Sequence, residues 1–587
     1  MTGSQAAEMK AGRTLAGRML VQGRAQAPLL YADVGLSFWG AVDPFTGMVV
    51  DSHHPLRGAC LAGRILAIPK GRGSCTGSSV MLELILNGHA PAGLILAEPD
   101  EILVLGVVVA NFMFGRSLPV ISVGHDAFAT LEHAQSACMA DGCVMVGENV
   151  HIADPKPARR QVGHTASLSA YDRSVLDGAH GKAAQAAMNI VLEMAALQNA
   201  DRLIDIGQAH IDGCIYTGPA SLRFARQFVE WGAKVRVPTT LNSISVDQRR
   251  WRAQGVDPSL GDPAAALGNA YVEMGAQPSF TCAPYLLDGA PVRGEQIVWA
   301  ESNAVAFANS VLGARTLKYP DYLDLCVALT GRAPFVDTHC DSGRHGTVHI
   351  AVQPPDNADE SFFPLLGYHI GLLSSTEIPV VSGLQDMAPD RDALKAFSAA
   401  FATTSAAPMF HIVGVTPEAP TAQAALGHKP ARREYGVRPG DLVRSWQELD
   451  SAAETAIQLV SLGNPHLSLE ECGHLAALCN GRVRNDGTEF ILTMGREIHD
   501  RASAAGYIKV LEAFGAQIIT DTCWCMIGEP VIPRNTRTLM TNSGKYAHYA
   551  PGLVGRQVRF GSLAACVDAA ETGTALKKLP AWLMPPG

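Results

Sequence analysis

Short runs in which apolar positions dominate or alternate with polar ones recur at residues 18–21, 63–69, 93–97 and 119–123, which is the signature of strands. After Ser79 the spacing becomes helical and predicts a helix over 80–86. Together these elements predict a small α/β domain over residues 1–150. Residues 151–165 are polar and basic and include Pro155 and Pro157, the composition of an exposed connector, so a linker is expected at 151–168. From 169 to 587 apolar runs of strand length alternate with helical patterns, as in the pair formed by a helix at 181–197 and a strand at 202–206. Repeated βα units imply mostly parallel sheets covered by helices. Three later strands, at 517–520, 538–541 and 557–560, each run into a loop. Ligand sites of α/β sheets gather at the carboxyl ends of strands, so those loops are where chemistry is expected.

Composition narrows the classes. A chain of 587 residues exceeds what a single hydrophobic core supports, so several structural units are expected. Its 47% hydrophobic and 17% charged residues exclude a disordered chain. The formal charge of -9 is spread without basic blocks, which argues against nucleic acid as a partner. The longest strongly apolar run, 102–110, is about half the ~20 residues that span a bilayer. No secretory pattern opens the chain, so a soluble, cytoplasmic protein without a membrane partner is expected. The 13 cysteines are odd in number and scattered, unlike a disulfide framework.

Four segments could carry chemistry. The loop Lys70-Gly71-Arg72-Gly73-Ser74-Cys75-Thr76-Gly77-Ser78-Ser79 links a predicted strand to a predicted helix and would offer free N–H groups and a helix N-terminus to an anion. A tight turn with serine caps explains the same residues equally well. The segments around Cys282, around Asp521-Thr522-Cys523-Trp524-Cys525 and around Phe560-Gly561-Ser562 through Cys566 each lie at a predicted loop or helix start. Thiolates converging from such distant segments can hold an iron–sulfur cluster with one iron open to substrate. Alternatively, Cys523 and Cys525 hint at zinc or redox chemistry, and Cys566 on an apolar helix face packs as a core residue. Glu301, Ser302 and Asn303 open a predicted helix, so capping competes with substrate contact. Lys545 and His548 fall in a predicted strand-to-loop segment, where carboxylate binding is one reading, and His53 and His54 are expected in an exposed turn.

The ordered set of these segments resembles the aconitase X family over nearly the whole chain. Besides the cysteine segments, the resemblance rests on residues 209–216, on Pro238-Thr239-Thr240-Leu241-Asn242, on residues 301–316 and on residues 541–549. The glycine-rich loop likewise resembles the serine-bearing loop of the swivelling domain in aconitase-like enzymes. The resemblance implies a small swivelling β/α domain joined to a large aconitase-like α/β region of several subdomains. It implies Ser74 as the base that takes a carbon-bound proton, with Ser78 as second choice and Arg72 beside it at the substrate. Cys282, Cys523 and Cys566 are implied as cluster ligands, and Gly213, Cys214, Ile215, Asn242 and Ser243 as lining the substrate site, with Lys545 as a further candidate. Archaeal relatives tend to carry serine in place of Ile215 and proline in place of Ser243. Cys525 has no implied role and is read as structural.

The implied reaction is a dehydration in which an open iron takes the leaving hydroxyl and the serine takes the proton, in a site between the two domains. Within the family the implied substrates are small molecules, cis-3-hydroxy-L-proline or mevalonate 5-phosphate. The fused small-then-large order resembles the bacterial type and favours the former, giving pyrroline-2-carboxylate. A 2Fe–2S centre is implied for that type, whereas ordinary aconitases have 4Fe–4S. Cysteine spacing decides neither, and leaves a mononuclear iron and the oligomeric state open. Tricarboxylate aconitases are disfavoured because no Cys-x-x-Cys pair occurs among the cysteines. A cluster-sensing RNA-binding protein is disfavoured by the acidic balance.

Overall fold

The computed structural model describes residues 13–51, 54–72, 75–147 and 166–584. It is a mixed α/β chain that divides into two compact units, one of Met1–Ile204, Thr217–Ala233 and Pro320–Phe335, the other of Asp205–Tyr216, Lys234–Tyr319 and Val336–Gly587. Residues 151–165 of the linker expected at 151–168 lie outside the described residues.

The first unit contains an eight-stranded sheet of β1 (Arg13–Ala16), β2 (Arg18–Val21), β3 (Ala25–Tyr31), β4 (Ile65–Ile68), β5 (Gly93–Leu96), β6 (Val120–Ser122), β7 (Ser136–Ala140) and β8 (Cys143–Val146), in the order β1-β8-β7-β3-β4-β5-β6-β2. The run β3-β4-β5-β6 is parallel, and antiparallel strands flank it on both sides. Strands β4 and β5 are wholly buried because helices cover the parallel centre of the sheet. The helix Gly77–Asn87 follows the glycine-rich loop and packs on the helix Glu101–Phe114. Gly106 permits that contact, since a Cβ there would meet the Ser78 carbonyl oxygen at 2.6 Å. Asp100 ties the start of the loop down: one carboxylate oxygen caps the second helix by accepting from Leu103 N at 2.8 Å, and the other accepts from Gly71 N at 2.8 Å.

The remaining strands are β9 (Leu203–Asp205), β10 (Gln208–Ile211), β11 (Thr239–Leu241), β12 (Ile297–Trp299), β13 (Arg332–Pro334), β14 (Val348–Val352), β15 (Pro379–Ser382), β16 (His411–Ile412), β17 (Arg433–Val437), β18 (Leu459–Leu462), β19 (Glu489–Met494), β20 (Ala516–Thr520), β21 (Thr538–Thr541) and β22 (Gln557–Phe560). Within the second unit they form three parallel sheets, β11-β10-β12, β16-β15-β14-β17 and β20-β19-β18-β21-β22. Strands β18 and β21 are buried along their whole length, as expected for strands covered on both faces. Serines start the helices that follow three strands of the five-stranded sheet. Ser468 Oγ accepts from Glu471 N at 3.0 Å, Ser543 Oγ from Tyr546 N at 3.1 Å and Ser562 Oγ from Ala565 N at 3.2 Å. Each cap ends a strand-to-helix loop and holds its backbone at the carboxyl end of the sheet.

Two expectations are corrected here. Lys545 and His548 do not lie in a strand-to-loop segment but on the helix Gly544–Val554, which the Ser543 cap and the buried Tyr546, Ala547 and Ala550 sustain. Pro551 within that helix obscured the pattern in sequence. His54 is buried rather than exposed, at 3% exposure, and its Nδ1 accepts from Leu56 N at 3.2 Å; His53 lies outside the described residues.

Candidate active site

Within the second unit the carboxyl ends of the three-stranded and five-stranded sheets meet. Strand β11 continues into Asn242 and Ser243, and Ile244 N then donates to the Asp521 carbonyl oxygen, after β20, at 2.8 Å. Thr281 N donates to the Leu241 carbonyl oxygen at 3.1 Å, which sets Cys282 beside the end of β11. From β19, the Arg496 guanidinium stands over the Phe280 ring at 4.8 Å and pairs with the buried Asp521 carboxylate at 2.9 Å. These contacts lock the Cys282 and Cys523 segments into one another.

The thiols of Cys282, Cys523 and Cys525 come together at this seam, with Cys523 hydrogen-bonded to each of the other two. Burial would raise the Cys282 thiol, but the Cys523 hydrogen bond, His466 and Lys545 outweigh it and hold it well below the ordinary thiol range. Cys525 is lowered as well, first by the Cys523 hydrogen bond, with Lys545 and Asn464 helping against burial. Cys523 is pushed up by its hydrogen bonds with Cys282 and Cys525 and by burial. The three thiols therefore titrate as one coupled group.

The turn after β18 supplies donors to both lowered sulfurs. Asn464 Nδ2 donates to Cys525 Sγ at 3.3 Å and His466 N to Cys282 Sγ at 3.3 Å. The His466 ring bridges the two cysteine segments, with Nε2 donating to the Thr522 carbonyl oxygen at 2.8 Å and Nδ1 paired with Thr281 Oγ1 at 3.1 Å. The carbonyl can only accept, so the proton is assigned to Nε2.

Opposite the thiols, Lys545 Nζ donates to Glu301 Oε1 at 2.7 Å, with side-chain exposures of only 15% and 7%. Burial alone would lower the Lys545 ammonium, yet Glu301 and the three cysteines hold it well above its ordinary value. Burial would raise Glu301, and Lys545 with the Ala304 N–H and Asn303 amide brings it down. Glu301 also caps the helix Ser302–Phe307 by accepting from Ala304 N at 2.9 Å. Asn303 Nδ2 donates to the Cys282 carbonyl oxygen at 3.1 Å and its Oδ1 accepts from Tyr285 OH at 2.8 Å. Of the two readings made in sequence, capping is the one these contacts show, with Glu301 as the capping residue.

Family models for the aconitase X swivel domain match residues 14–146, for its first domain 165–342, for its second 346–447 and for its third 457–572. The cis-3-hydroxy-L-proline dehydratase of Pseudomonas aeruginosa is 57% identical over 581 residues, 98% of this chain and 99% of that protein. The chain belongs to the aconitase X family. The cis-3-hydroxy-L-proline dehydratase of Hypocrea jecorina is 52% identical and covers 97% of each chain. Among solved structures, Thermococcus kodakaraensis aconitase X in its holo-form superposes with a TM-score of 0.62 at 31% identity, covering 69% of this chain and all of that one. Among the described residues, no helix is long and apolar enough to cross a membrane.

Gly213, Cys214 and Ile215 form the turn after β10, where the Cys214 thiol donates to the Ile211 and Asn242 carbonyl oxygens at 3.4 Å each and Gly213 O accepts from Tyr271 OH at 3.0 Å. Asn242 donates to Asp212 and its Oδ1 accepts from Ser243 N at 2.7 Å, so these five residues occupy neighbouring strand ends. Among the described residues Cys566 shares no hydrogen bond with the thiols of Cys282, Cys523 and Cys525. It is fully buried in the hydrophobic cluster that includes Met540, Leu563 and Val567, and burial, then the charge of Glu360, pushes its thiol up. Cys525, read in sequence as structural, stands in the thiol group instead.

In the first unit, exposed Arg72 pairs with Asp51 at 3.0 Å. Ser78 is buried and donates to the Cys75 carbonyl oxygen at 3.0 Å. Ser74 lies outside the described residues. Sequence reasoning passed over His466 and Asn464, and it named Glu301 and Lys545 without pairing them. The signal for the first two was present, since Gly463-Asn464-Pro465-His466 follows an apolar strand and so sits at a carboxyl end.

The donor set suits an iron–sulfur group. It offers soft sulfurs, two of them lowered toward thiolate, with N–H donors aimed at those two and a cation beside them. Among the described residues, no group of three or more His, Cys, Asp and Glu side chains closes around a point as a lone metal ion requires.

Proposed function

We propose that this chain is an iron–sulfur-dependent hydro-lyase that dehydrates cis-3-hydroxy-L-proline to pyrroline-2-carboxylate. The observation that carries the reading is the 57% identity to a dehydratase of that substrate along 98% of the chain, small and large parts together. Cys282 and Cys523 would hold the cluster, with the third position taken by Cys566, as the resemblance implies, or by Cys525, which the thiol grouping favours. Its nuclearity is proposed as 2Fe–2S. When bound, such a cluster supplies a Lewis-acidic iron for a leaving hydroxyl.

The chain's own residues do the rest. Ser74, as its alkoxide, takes the proton from the carbon bearing the carboxylate, and Arg72, two positions away in the chain, stabilises that alkoxide before the transfer. Lys545 keeps N–H groups beyond the one given to Glu301, and these bind the substrate carboxylate. Gly213, Cys214, Ile215, Asn242 and Ser243 shape the pocket wall, and the apolar Ile215 suits the methylene face of a small ring better than a phosphate. The net charge and its even spread fit a small-molecule partner in the cytoplasm without nucleic acid.

The test is turnover of cis-3-hydroxy-L-proline by anaerobically purified protein, with iron and sulfide quantified on the same sample. Product formation that tracks iron content supports the reading. Iron without product removes the substrate, and product without iron removes the cofactor.

A further inference from the structure

The turn that donates to both lowered sulfurs rests on a buried charge network with no part in the reaction as described. Lys395, on the helix Arg391–Thr404, is 2% exposed. Its ammonium pairs with Glu471, contacts Asp392 Oδ1 at 3.1 Å and donates to the His466 carbonyl oxygen at 3.3 Å. Glu471 is itself bound into the capping box of the next helix, where it accepts from Ser468 N at 2.8 Å. Ser468 Oγ closes the ring by donating to Asp392 Oδ2 at 2.8 Å. The backbone from Asn464 to Ser468 is thus gripped from behind by Lys395, Asp392 and Glu471, and presents Asn464 Nδ2 and His466 N in front.

Burying one ammonium between two carboxylates costs several kcal/mol in desolvation, which packed apolar residues would avoid, so stability alone is a poor reason for this arrangement. What the network gives the site is geometry. Hydrogen bonds to cluster sulfurs tune a cluster's electronics, and such donors act only if held within a few tenths of an ångström. We propose that Lys395, with Asp392 and Glu471, is a positioning residue that holds the Asn464–His466 turn against Cys282 and Cys525 and so sets the electronic state of the group these thiols hold. This rests on the thiol reading given under Proposed function.

The experiment uses the full chain as wild type, Lys395→Met and Lys395→Arg. Three quantities are read: amide exchange of a peptide covering residues 463–467, iron and sulfide per chain, and the visible spectrum with its reduction potential. In Lys395→Met the turn is expected to exchange at least about tenfold faster, the factor one charge-assisted hydrogen bond is worth. Iron per chain falls, and what remains shows a shifted spectrum and potential. Lys395→Arg restores all three toward wild type, which a merely space-filling role does not predict. Should Lys395→Met fail to fold, Asp392→Ala removes that carboxylate's contacts to Lys395 and Ser468 while Glu471 and the Ser468 cap stay in place, and carries the same prediction at smaller size.

Unchanged exchange at 463–467, or an unchanged spectrum and potential in a variant that exchanges faster, overturns the proposal. A wild-type chain that binds no iron under anaerobic reconstitution overturns the thiol reading instead, and with it the electronic role; the exchange data then still decide whether Lys395 holds the turn.

Discussion

Replacing Lys545 by methionine is the sharpest perturbation of the site, because it removes one charge of a nearly enclosed pair and keeps most of the volume. The partners are 2.7 Å apart and their side chains are 15% and 7% exposed, so solvent screens them little. Removing one partner of a buried pair costs about 3–5 kcal/mol, chiefly because the other charge is stranded. Glu301 keeps the Ala304 N–H and the Asn303 amide, which places the expected loss near the low end, about 3 kcal/mol. Glu301→Gln alone strands the ammonium, and the double variant strands neither. The coupling in a double-mutant cycle is therefore expected at about 2 kcal/mol or more. The assay is urea unfolding followed by fluorescence, which includes the buried Trp299 and Trp524. The sign of the pH dependence follows from the shifts. Glu301 is lowered in the fold, so its contribution is complete above its unfolded value of about 4.3 and disappears as pH falls through the folded one. Lys545 is raised, so its contribution is complete below its unfolded value of about 10.4 and is lost only as pH rises through the higher folded one. The coupling should be flat from about pH 5 to 10 and shrink below about pH 4. Additive single effects, with coupling under about 0.5 kcal/mol, would refute the argument.

Other outcomes follow from the same geometry. Ser74→Ala should leave folding and iron content as in the wild type and abolish turnover; wild-type-like activity removes the serine from the mechanism. Cys525→Ser should lower iron per chain more than Cys566→Ala, measured by colorimetric iron assay on the purified proteins, and the reverse order would restore Cys566 to the ligand set. Arg496→Met should destabilise the chain by about 3 kcal/mol in urea unfolding, since it leaves the fully buried Asp521 carboxylate with only the half-exposed Arg249 at 4.0 Å, and a change within about 0.5 kcal/mol would deny that this pair fastens the seam.

The amino-acid sequence by itself determined the local elements and where chemistry was to be sought. Strands expected at 538–541 and 557–560 appear as β21 and β22 with those bounds, because short apolar runs beside glycine and charged residues have no other way to bury themselves. The helix expected at 80–86 is the core of Gly77–Asn87, and the loop after β20 does carry Cys523 and Cys525 to the end of β11, because parallel sheets leave their carboxyl ends open. The family was legible too, since its signature is an ordered set of segments that needs no coordinates.

Only the tertiary structure decided which distant side chains share a space. Glu301 and Lys545 are 244 positions apart, and pairing at that separation is set by how sheets are laid side by side. Cys525 and Cys566 look alike as cysteines in loops or helix starts, yet one faces the seam and the other turns into an apolar cluster. That difference depends on the rotation of a helix and the path of a turn, which spacing along the chain does not encode. Lys395, an unremarkable lysine in a helical run, becomes a buried clamp only once the helix is packed beneath the Asn464–His466 turn.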